Sequence, residues 1–166
     1  MRIALGIKIF LFILALNLLA GSAAEGEWAS ADGRISVVPP SSFLKGDALA
    51  PLVIVWLSSD QKIKLAVAEA DNPKRYKLKK ESMEKGLIRE MNGTLLESIE
   101  EEKQGVSIFK MTCSGELSGQ KVFCCQVIIG IDDKVYKVMA ISFKQDPRQI
   151  PEVVKFMDSL KILKAK

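Results

Sequence analysis

The chain has 166 residues, a formal net charge of +4 and no histidine. The absence of histidine excludes Ser-His-Asp and Cys-His nucleophile systems and the commonest zinc and iron ligand sets. The 24 basic and 20 acidic residues are nearly balanced, so the composition gives no broad electrostatic reason to expect nucleic-acid binding. The sequence carries no catalytic signature, and we expect no catalytic residues, no cofactor and no metal site.

The first 24 residues have the pattern of a secretory signal peptide. Arg2 and Lys8 give a positive start, residues 9–20 form an uncharged and mostly apolar run, and residues 21–24 are small. These are the three parts that define a signal peptide. The pattern predicts cleavage after position 24 or 23, which places the mature chain in an exported compartment.

An uncleaved membrane anchor is the alternative to a cleaved leader. An anchor needs roughly 20 apolar residues to cross a bilayer, and Lys8 interrupts the apolar stretch. A lipid anchor would require a cysteine at the position of Ser22. Removing the leader lowers the formal charge to +2 and leaves residues 25–166. We expect these to form a single periplasmic or secreted domain without stable membrane insertion.

Periodicity in the mature chain predicts mostly β-structure. Alternating or continuous apolar runs favour strands, and Gly, Asn, Asp and Pro between them favour turns. Residues 52–57 are apolar throughout, which is typical of a strand covered on both faces. A hairpin is expected in the first half and an antiparallel meander in the second. The predicted strands cover residues 34–38, 52–57, 63–69, 95–103, 106–113, 121–131 and 134–143.

Two helices are predicted to accompany the strands. The first covers about residues 79–91 and ends at Asn92-Gly93, a good helix stop. The second begins at Pro147 or Pro151 and runs to about residue 160, with Asp146 as a suitable N-cap. The expected apolar stripes are Met83, Leu87, Ile88 and Met91 in the first helix and Val153, Phe156, Met157 and Leu160 in the second.

Two short segments resemble the PsbP/Mog-like α/β/α sandwich superfamily, which includes small periplasmic PsbP-like proteins of the DcrB-like kind. Residues 33–43 (GRISVVPPSSF) place a short strand before a proline turn and an aromatic residue. Residues 156–162 (FMDSLKI) are similar to the end of the family's last helix. The resemblance covers most of residues 32–163. It implies an α+β fold, an antiparallel sheet of about six strands sandwiched by helices, and a role in binding other proteins.

Three cysteines, Cys113, Cys124 and Cys125, lie in two strands of the predicted meander. Export allows a disulfide to persist, and the odd count leaves at least one thiol outside it. A turn about Ser118-Gly119 would place Cys113 opposite Cys124, while a three-residue loop would favour Cys125. Alternatively, Cys125 is simply a small core residue. Adjacent cysteines on a strand point to opposite faces, which differs from a redox C-x-x-C site.

The run from position 74 to position 80, hereafter the basic run, is the charge cluster with a credible binding partner. Tyr76 and Leu78 alternate with its bases, so an extended segment would present cations on one side. An anionic membrane surface would gain about 1 kcal/mol per base, and an acidic protein surface would fit equally well. A plain solvated connection is the alternative. The bases are Lys74, Arg75, Lys77, Lys79 and Lys80.

Other patterns favour structural interpretations. The acidic run 97–102 lacks the ligand spacing of a calcium loop and is expected to be a solvated hairpin end. Ser-x-x-Lys occurs five times, but the companion elements of penicillin-interacting enzymes are absent. Asn92-Gly93-Thr94 fits an N-glycosylation acceptor as well as a helix stop. Trp28 and Trp56 are expected to be core anchors, with an exposed, binding Trp28 as the alternative.

These observations favour an exported, non-enzymatic binding or accessory protein of the periplasm or extracellular space. Its expected partner is a protein or a cell-envelope component, with the basic run as part of the contact. A carrier of a small apolar ligand, held in a pocket between sheet and helix, is the alternative function. An enzyme built from this chain would need paired carboxylates or a lysine with a strongly shifted pKa in a cleft.

Overall fold

The computed structural model describes residues 26–163, and the predicted signal peptide lies outside them. The strands are β1 (Trp28–Ala29), β2 (Ile35–Val37), β3 (Leu44–Gly46), β4 (Leu52–Leu57), β5 (Ile63–Asp71), β6 (Thr94–Lys103), β7 (Val106–Leu117), β8 (Gln120–Ile131), β9 (Lys134–Ser142) and β10 (Lys161–Ile162). The helices are α1 (Lys80–Met91) and α2 (Pro151–Asp158), and a 3-10 turn covers Pro147–Gln149. A seven-stranded antiparallel sheet has the order β3-β4-β5-β9-β8-β7-β6, and a small sheet has the order β1-β2-β10. The fold is therefore α+β.

The central strands carry apolar side chains on both faces. In β9, Met139 and Ile141 belong to one buried cluster, whereas Val138 and Ala140 belong to another. Successive side chains of a strand point to opposite faces, so the two clusters lie on opposite faces of the sheet. Each face must exclude water, and each has its own covering elements.

Different elements contribute to the two clusters. Leu87 and Met91 of α1 join the cluster of Met139, hereafter the α1 face. Val153 and Phe156 of α2 join the opposite cluster, hereafter the α2 face, together with residues of the small sheet. The chain thus divides its few helical residues between both faces of one sheet.

The C-terminal end of α1 touches the backbone of β7. Asn92 ends the helix in the left-handed conformation, with φ of 44°. A Cβ atom at Gly115 would lie 2.0 Å from the carbonyl oxygen of Met91, and one at Gly93 would lie 2.0 Å from that of Ser114. Only glycine fits at these two positions, so they set how closely this end of α1 approaches the sheet.

Hydrogen bonds around Asp32 join the small sheet to the large one. The buried Tyr136 of β9 donates to one carboxylate oxygen, and Ser30 Oγ donates to the other at 2.7 Å. Arg34 Nε lies 3.3 Å from Asp32, and its guanidinium also donates to Asp133 at 2.8 Å. Burial alone would raise the pKa of Asp32, but these hydrogen bonds and the Arg34 charge outweigh it and lower that pKa below its usual value.

The structure confirms the main elements that periodicity predicts. The hairpin of β4 and β5, the meander of β7, β8 and β9, and both helices lie within a few residues of their expected bounds. Trp56 is 2% exposed, and its ring centroid lies 5.6 Å from that of Phe156 and 6.4 Å from that of Trp28. Trp28 also packs against the α2-face cluster. Trp56 is therefore a core residue, as expected, and the half-buried Trp28 packs at the edge of the same cluster.

Four expectations are wrong in detail. The large sheet has seven strands rather than about six, because the short β3 adds an edge. Val53 is 44% exposed, because the register of β4 shifts at a bulge beside it. Ile88 is 37% exposed, since it lies at the margin of the stripe that α1 turns to the sheet. β7 extends to Leu117, because the turn consists of only two residues, Ser118 and Gly119.

Gly115→Ala should destabilise the domain by about 1–3 kcal/mol, because the new methyl group would overlap the Met91 carbonyl. The matched control is Gly86→Ala, in the interior of α1, where a Cβ would meet no atom within 4 Å. That change should instead stabilise the domain by roughly 0.5–1 kcal/mol. Urea unfolding measures both, and equal effects at the two positions would contradict the close approach.

Asp32→Asn should destabilise the domain by about 1 kcal/mol at neutral pH, because a charged acceptor of part-buried hydrogen bonds is lost. Since the folded state lowers the pKa of Asp32, its contribution is present above the unfolded-state pKa near 3.9 and is lost as pH falls through the folded pKa. The difference between wild type and variant should therefore shrink between about pH 5 and about pH 2. Denaturant midpoints across this range measure it, with Asp47→Asn at an exposed position as control; a pH-independent difference would refute the assignment.

Candidate functional site

A cavity of about 460 Å³ lies on the α1 face of the sheet, and we name it the α1 cleft. Its walls are α1, the segment of residues 71–79 that leads into the helix, and strands β5, β8 and β9. The volume falls within the range of roughly 300–1,000 Å³ that small-molecule sites occupy. Its mostly apolar lining includes Leu78, Met83, Leu87, Ile128 and Val135.

Asn72 and Leu78 fix the segment that forms the mouth of the cleft. The buried Asn72 side chain donates to the carbonyl of Tyr76 and accepts from its N–H, both at 3.0 Å. Arg75, in the left-handed region with φ of 49°, donates its N–H to the Asn72 carbonyl at 2.7 Å. Leu78 lies over Gly130 of β8, where a Cβ would be 3.2 Å from its Cδ1 atom. The basic run is therefore anchored to the sheet.

The structure brings part of the basic run to the cleft. Lys77 and Lys79 line the cleft, whereas Lys74 and Arg75 are exposed outside it. Lys80 is the first residue of α1 and forms an i,i+4 ion pair within the helix. In the part of the chain that the structure describes, the other four bases form no ion pair. Their charges are thus available to a partner.

Gln126, Lys137 and Glu90 are polar side chains that stand beside the apolar lining of the cleft. Gln126 is 3% exposed, and strand alternation places it on the α1 face beside Ile128. Its amide has no hydrogen-bond partner among residues 26–163. Lys137 reaches the same wall from β9, and Glu90 reaches it from α1. Burial raises the pKa of the Glu90 carboxyl, although the charges of Lys137 and Arg89 oppose this.

The charges around the cleft that lack partners are mainly positive. Glu69 and Asp71 lie at the rim, and both carboxylates bind Lys134 of β9. Glu90 is the remaining carboxylate on the wall. The cations on the wall are Lys77, Lys79, Arg89 and Lys137. A ligand with negative charge is therefore favoured over a cationic one.

A second cavity, of about 410 Å³, lies on the α2 face between α2 and strands β6, β7 and β8. Most of its charged groups pair with one another: Arg148 lies 3.4 Å from Glu97, and Lys110 lies 2.9 Å from Glu101, whereas Lys103 and Asp158 form no ion pair with the described residues. These pairs leave fewer unsatisfied groups for a ligand than the α1 cleft offers. We therefore take the α1 cleft as the candidate site.

The three cysteines are buried and unbonded in this structure. Cys113 lies directly opposite Cys124, as a turn at Ser118-Gly119 requires, and both turn residues have positive φ. Cys125 belongs to the cluster on the α2 face. Burial raises the pKa of Cys113 to about 11 and that of Cys125 to about 12, so both thiols stay protonated near neutral pH. A Cys113–Cys124 disulfide stays a prediction.

The acidic run lies on β6, at the edge of the large sheet. Glu100 and Glu102 are exposed on one face, while Glu97 and Glu101 form the ion pairs named above. Within residues 26–163, no group of three or more candidate side chains could hold a metal ion. No helix in that range is long and apolar enough to cross a membrane. Glycosylation at Asn92, an exposed residue, stays a prediction.

No known family model matches the chain, and no curated protein matches it. Solved structures do match. The solution structure of cyanobacterial PsbP (CyanoP) from Synechocystis has a TM-score of 0.65 at 10% identity, over 86% of this chain and 95% of that one. The crystal structure of LpqN, involved in cell envelope biogenesis of Mycobacterium tuberculosis, has a TM-score of 0.54 at 10% identity, over 94% and 97%. A Bacteroides thetaiotaomicron protein has a TM-score of 0.52 at 11% identity over 88% of this chain, which spans 50% of that protein.

These likenesses show that the chain has a PsbP-like fold. The predicted resemblance is thereby confirmed at the level of the fold. Identities this low establish the architecture, while function depends on the site that the architecture carries.

Sequence reasoning found the basic run but missed the polar residues of the cleft. Gln126 stands between Cys125 and Val127 in an otherwise apolar strand, and Lys137 stands between Tyr136 and Val138. A polar residue at a position where alternation predicts burial is the available signal. This signal identifies a site only when the pairing of β8 with β9 is known, because that register brings Gln126 and Lys137 to one wall of the cleft.

Proposed function

We propose that this chain is an exported, non-enzymatic accessory protein that binds a component of the cell envelope through the basic run. One observation carries the proposal: Lys77 and Lys79 lie at the mouth of a cleft and form no ion pair within the described part of the chain. Asn72 and Leu78 hold the segment in place, so little order must be gained on binding.

Two further observations support export and a non-enzymatic role. Residues 1–24 have the signal-peptide pattern, and the fold is shared with LpqN, a protein involved in cell envelope biogenesis. The chain has no histidine to activate a serine or a cysteine, and burial raises the pKa of all three cysteines, which disfavours nucleophilic catalysis of these two kinds. Function then depends on surface complementarity.

Neutralising Lys77, Lys79 and Lys80 to glutamine should weaken binding to isolated cell envelopes by roughly 100-fold, since each base near an anionic surface contributes about 1 kcal/mol. The protein is recovered from the envelope compartment, where its mass should show a first residue at position 25 or 24. Cosedimentation with envelopes at low and high salt then measures binding, which added salt should also weaken.

The matched control neutralises three exposed lysines outside the cleft, Lys45, Lys62 and Lys155. This variant has the same net charge, so it separates a local contact from a general charge effect. Equal binding by the two variants would overturn the basic run as the contact. A protein that retains Met1 and is found in the cytosol would overturn export.

A carrier of a small apolar ligand is the second candidate function, and the α1 cleft favours it. The cleft combines about 460 Å³ of space with a mostly apolar lining. Gly86 lies on its wall, where a Cβ would meet no atom within 4 Å. Glycine in a helix interior costs roughly 0.5–1 kcal/mol relative to alanine, and here no close backbone contact requires it.

Gly86→Phe should abolish binding of the neutral fluorescent dye N-phenylnaphthylamine, because the phenyl ring would fill the cleft. The wild-type protein should enhance the dye's fluorescence in a saturable way. Gly86→Ala is the control, since a single methyl group leaves most of the volume open, and it should bind the dye. Saturable binding that Gly86→Phe leaves unchanged, with an unaltered urea midpoint, would show that the dye does not enter this cleft.

A further inference from the structure

We infer that the α1 cleft binds a single-chain amphiphile with a carboxylate head group, of the fatty-acid class. The inference rests on the carrier function proposed above and names the ligand class of the same site. Three features carry it: an amide on the cleft wall without a hydrogen bond to the described residues, a neighbouring ammonium group, and an apolar path that leads from both to the mouth of the cleft.

The head-group position follows from Gln126 and Lys137. In the β8–β9 register Gln126 pairs with Met139 and Ile128 pairs with Lys137, so Gln126 and Lys137 are diagonal neighbours on one face. Such neighbours lie about 7–8 Å apart, within reach of long side chains. A carboxylate between them accepts one hydrogen bond from the ammonium group and one from the amide. It thereby satisfies an amide that has no partner among residues 26–163.

The tail position follows from the strand direction. Two residues further along each strand, Gly130 pairs with Val135, and Leu78 lies over Gly130. Met83 and Gly86 of α1 stand on the opposite wall. An acyl chain that starts at Lys137 therefore runs between apolar walls toward the basic run.

The charges on the walls of the cleft favour a carboxylate head group over a phosphate or a cationic one. Lys137 supplies one positive charge at the buried end, and it forms no ion pair within the described residues. Glu90 faces the same space and would repel a doubly charged phosphate more strongly than a singly charged carboxylate. Lys77 and Lys79 at the mouth attract an anionic ligand during entry. A cationic head group at this position would be repelled by the positive charge of Lys137.

Isothermal titration of the purified exported protein with decanoate and decanol, both below micelle formation, tests the inference. Decanoate should bind roughly tenfold more tightly than decanol, because charged hydrogen bonds add to the shared burial of the chain. Decyl phosphate and decyltrimethylammonium are the other probes, and both should bind more weakly than decanoate. Equal affinity for decanoate and decanol would overturn the head-group assignment.

Three variants test the named residues. Lys137→Gln and Gln126→Leu should each weaken decanoate binding about tenfold and leave decanol binding unchanged. Glu90→Gln should strengthen decanoate binding, because it removes the repelling charge. A folding defect would weaken the binding of decanoate and of decanol together. Tighter binding of decanoate by Glu90→Gln therefore cannot come from a folding defect. Lys121→Gln, at an exposed position of β8, is the control and should change nothing.

The outcomes separate this inference from the proposed functions. If decanol binds as well as decanoate and Gly86→Phe abolishes both, the carrier function stands and the carboxylate head is refuted. If no decyl probe binds, the carrier function and the inference fall together. The envelope assay with the basic-run variants then judges the accessory function independently.

Discussion

The constraint on which the rest of the structure depends is that the central strands are apolar on both faces. Both faces must be covered, but residues 26–163 offer only one helix for each. α1 has 12 residues and is therefore about 18 Å long. A sheet of seven strands is roughly 29 Å wide at ordinary strand spacing. One helix cannot cover that area, so the segment that precedes α1 folds over the sheet as well, and the α1 cleft is the space between these two covers.

Three glycines mark where α1 packs closely against the sheet and where space remains beside the helix. Gly93 and Gly115 bring the C-terminal end of α1 against the backbone of β7, which closes the sheet at that end. Gly86, in the middle of the helix, lines the cleft, and a Cβ there would meet no atom within 4 Å. The same residue type thus has opposite effects, because its missing side chain permits contact at one position and leaves empty volume at another.

The parts of this arrangement that sequence could predict are those determined by local pattern. Alternation located β5, β8 and β9, and Asn92-Gly93 located the end of α1, because neighbouring residues alone determine these features. The two- and three-residue strands β1, β3 and β10 were missed, since each is too short to show a periodic pattern and is defined only by its pairing with another strand. The basic run was visible as charge, but its division into residues inside and outside the cleft depends on the hydrogen bonds of Asn72. A pocket between sheet and helix was only an alternative in the sequence analysis, and the position of the cleft could not be predicted, because it arises from the mismatch between a helix and a sheet that periodicity describes separately.

The two faces of the sheet have different roles for a physical reason. On the α2 face, Trp56 packs edge-on against Trp28 and Phe156, and the hydrogen bonds of Asp32 tie the small sheet to β9. The ring packing and these hydrogen bonds stabilise the domain, and the cavity of about 410 Å³ on this face is flanked mostly by paired charges. On the α1 face, Gln126 stands among apolar residues and makes no side-chain hydrogen bond to the described residues, so its amide relies on solvent or on a ligand in the cleft. The α1 face therefore offers a ligand more unpaired polar groups than the α2 face, which is why we propose it as the binding face.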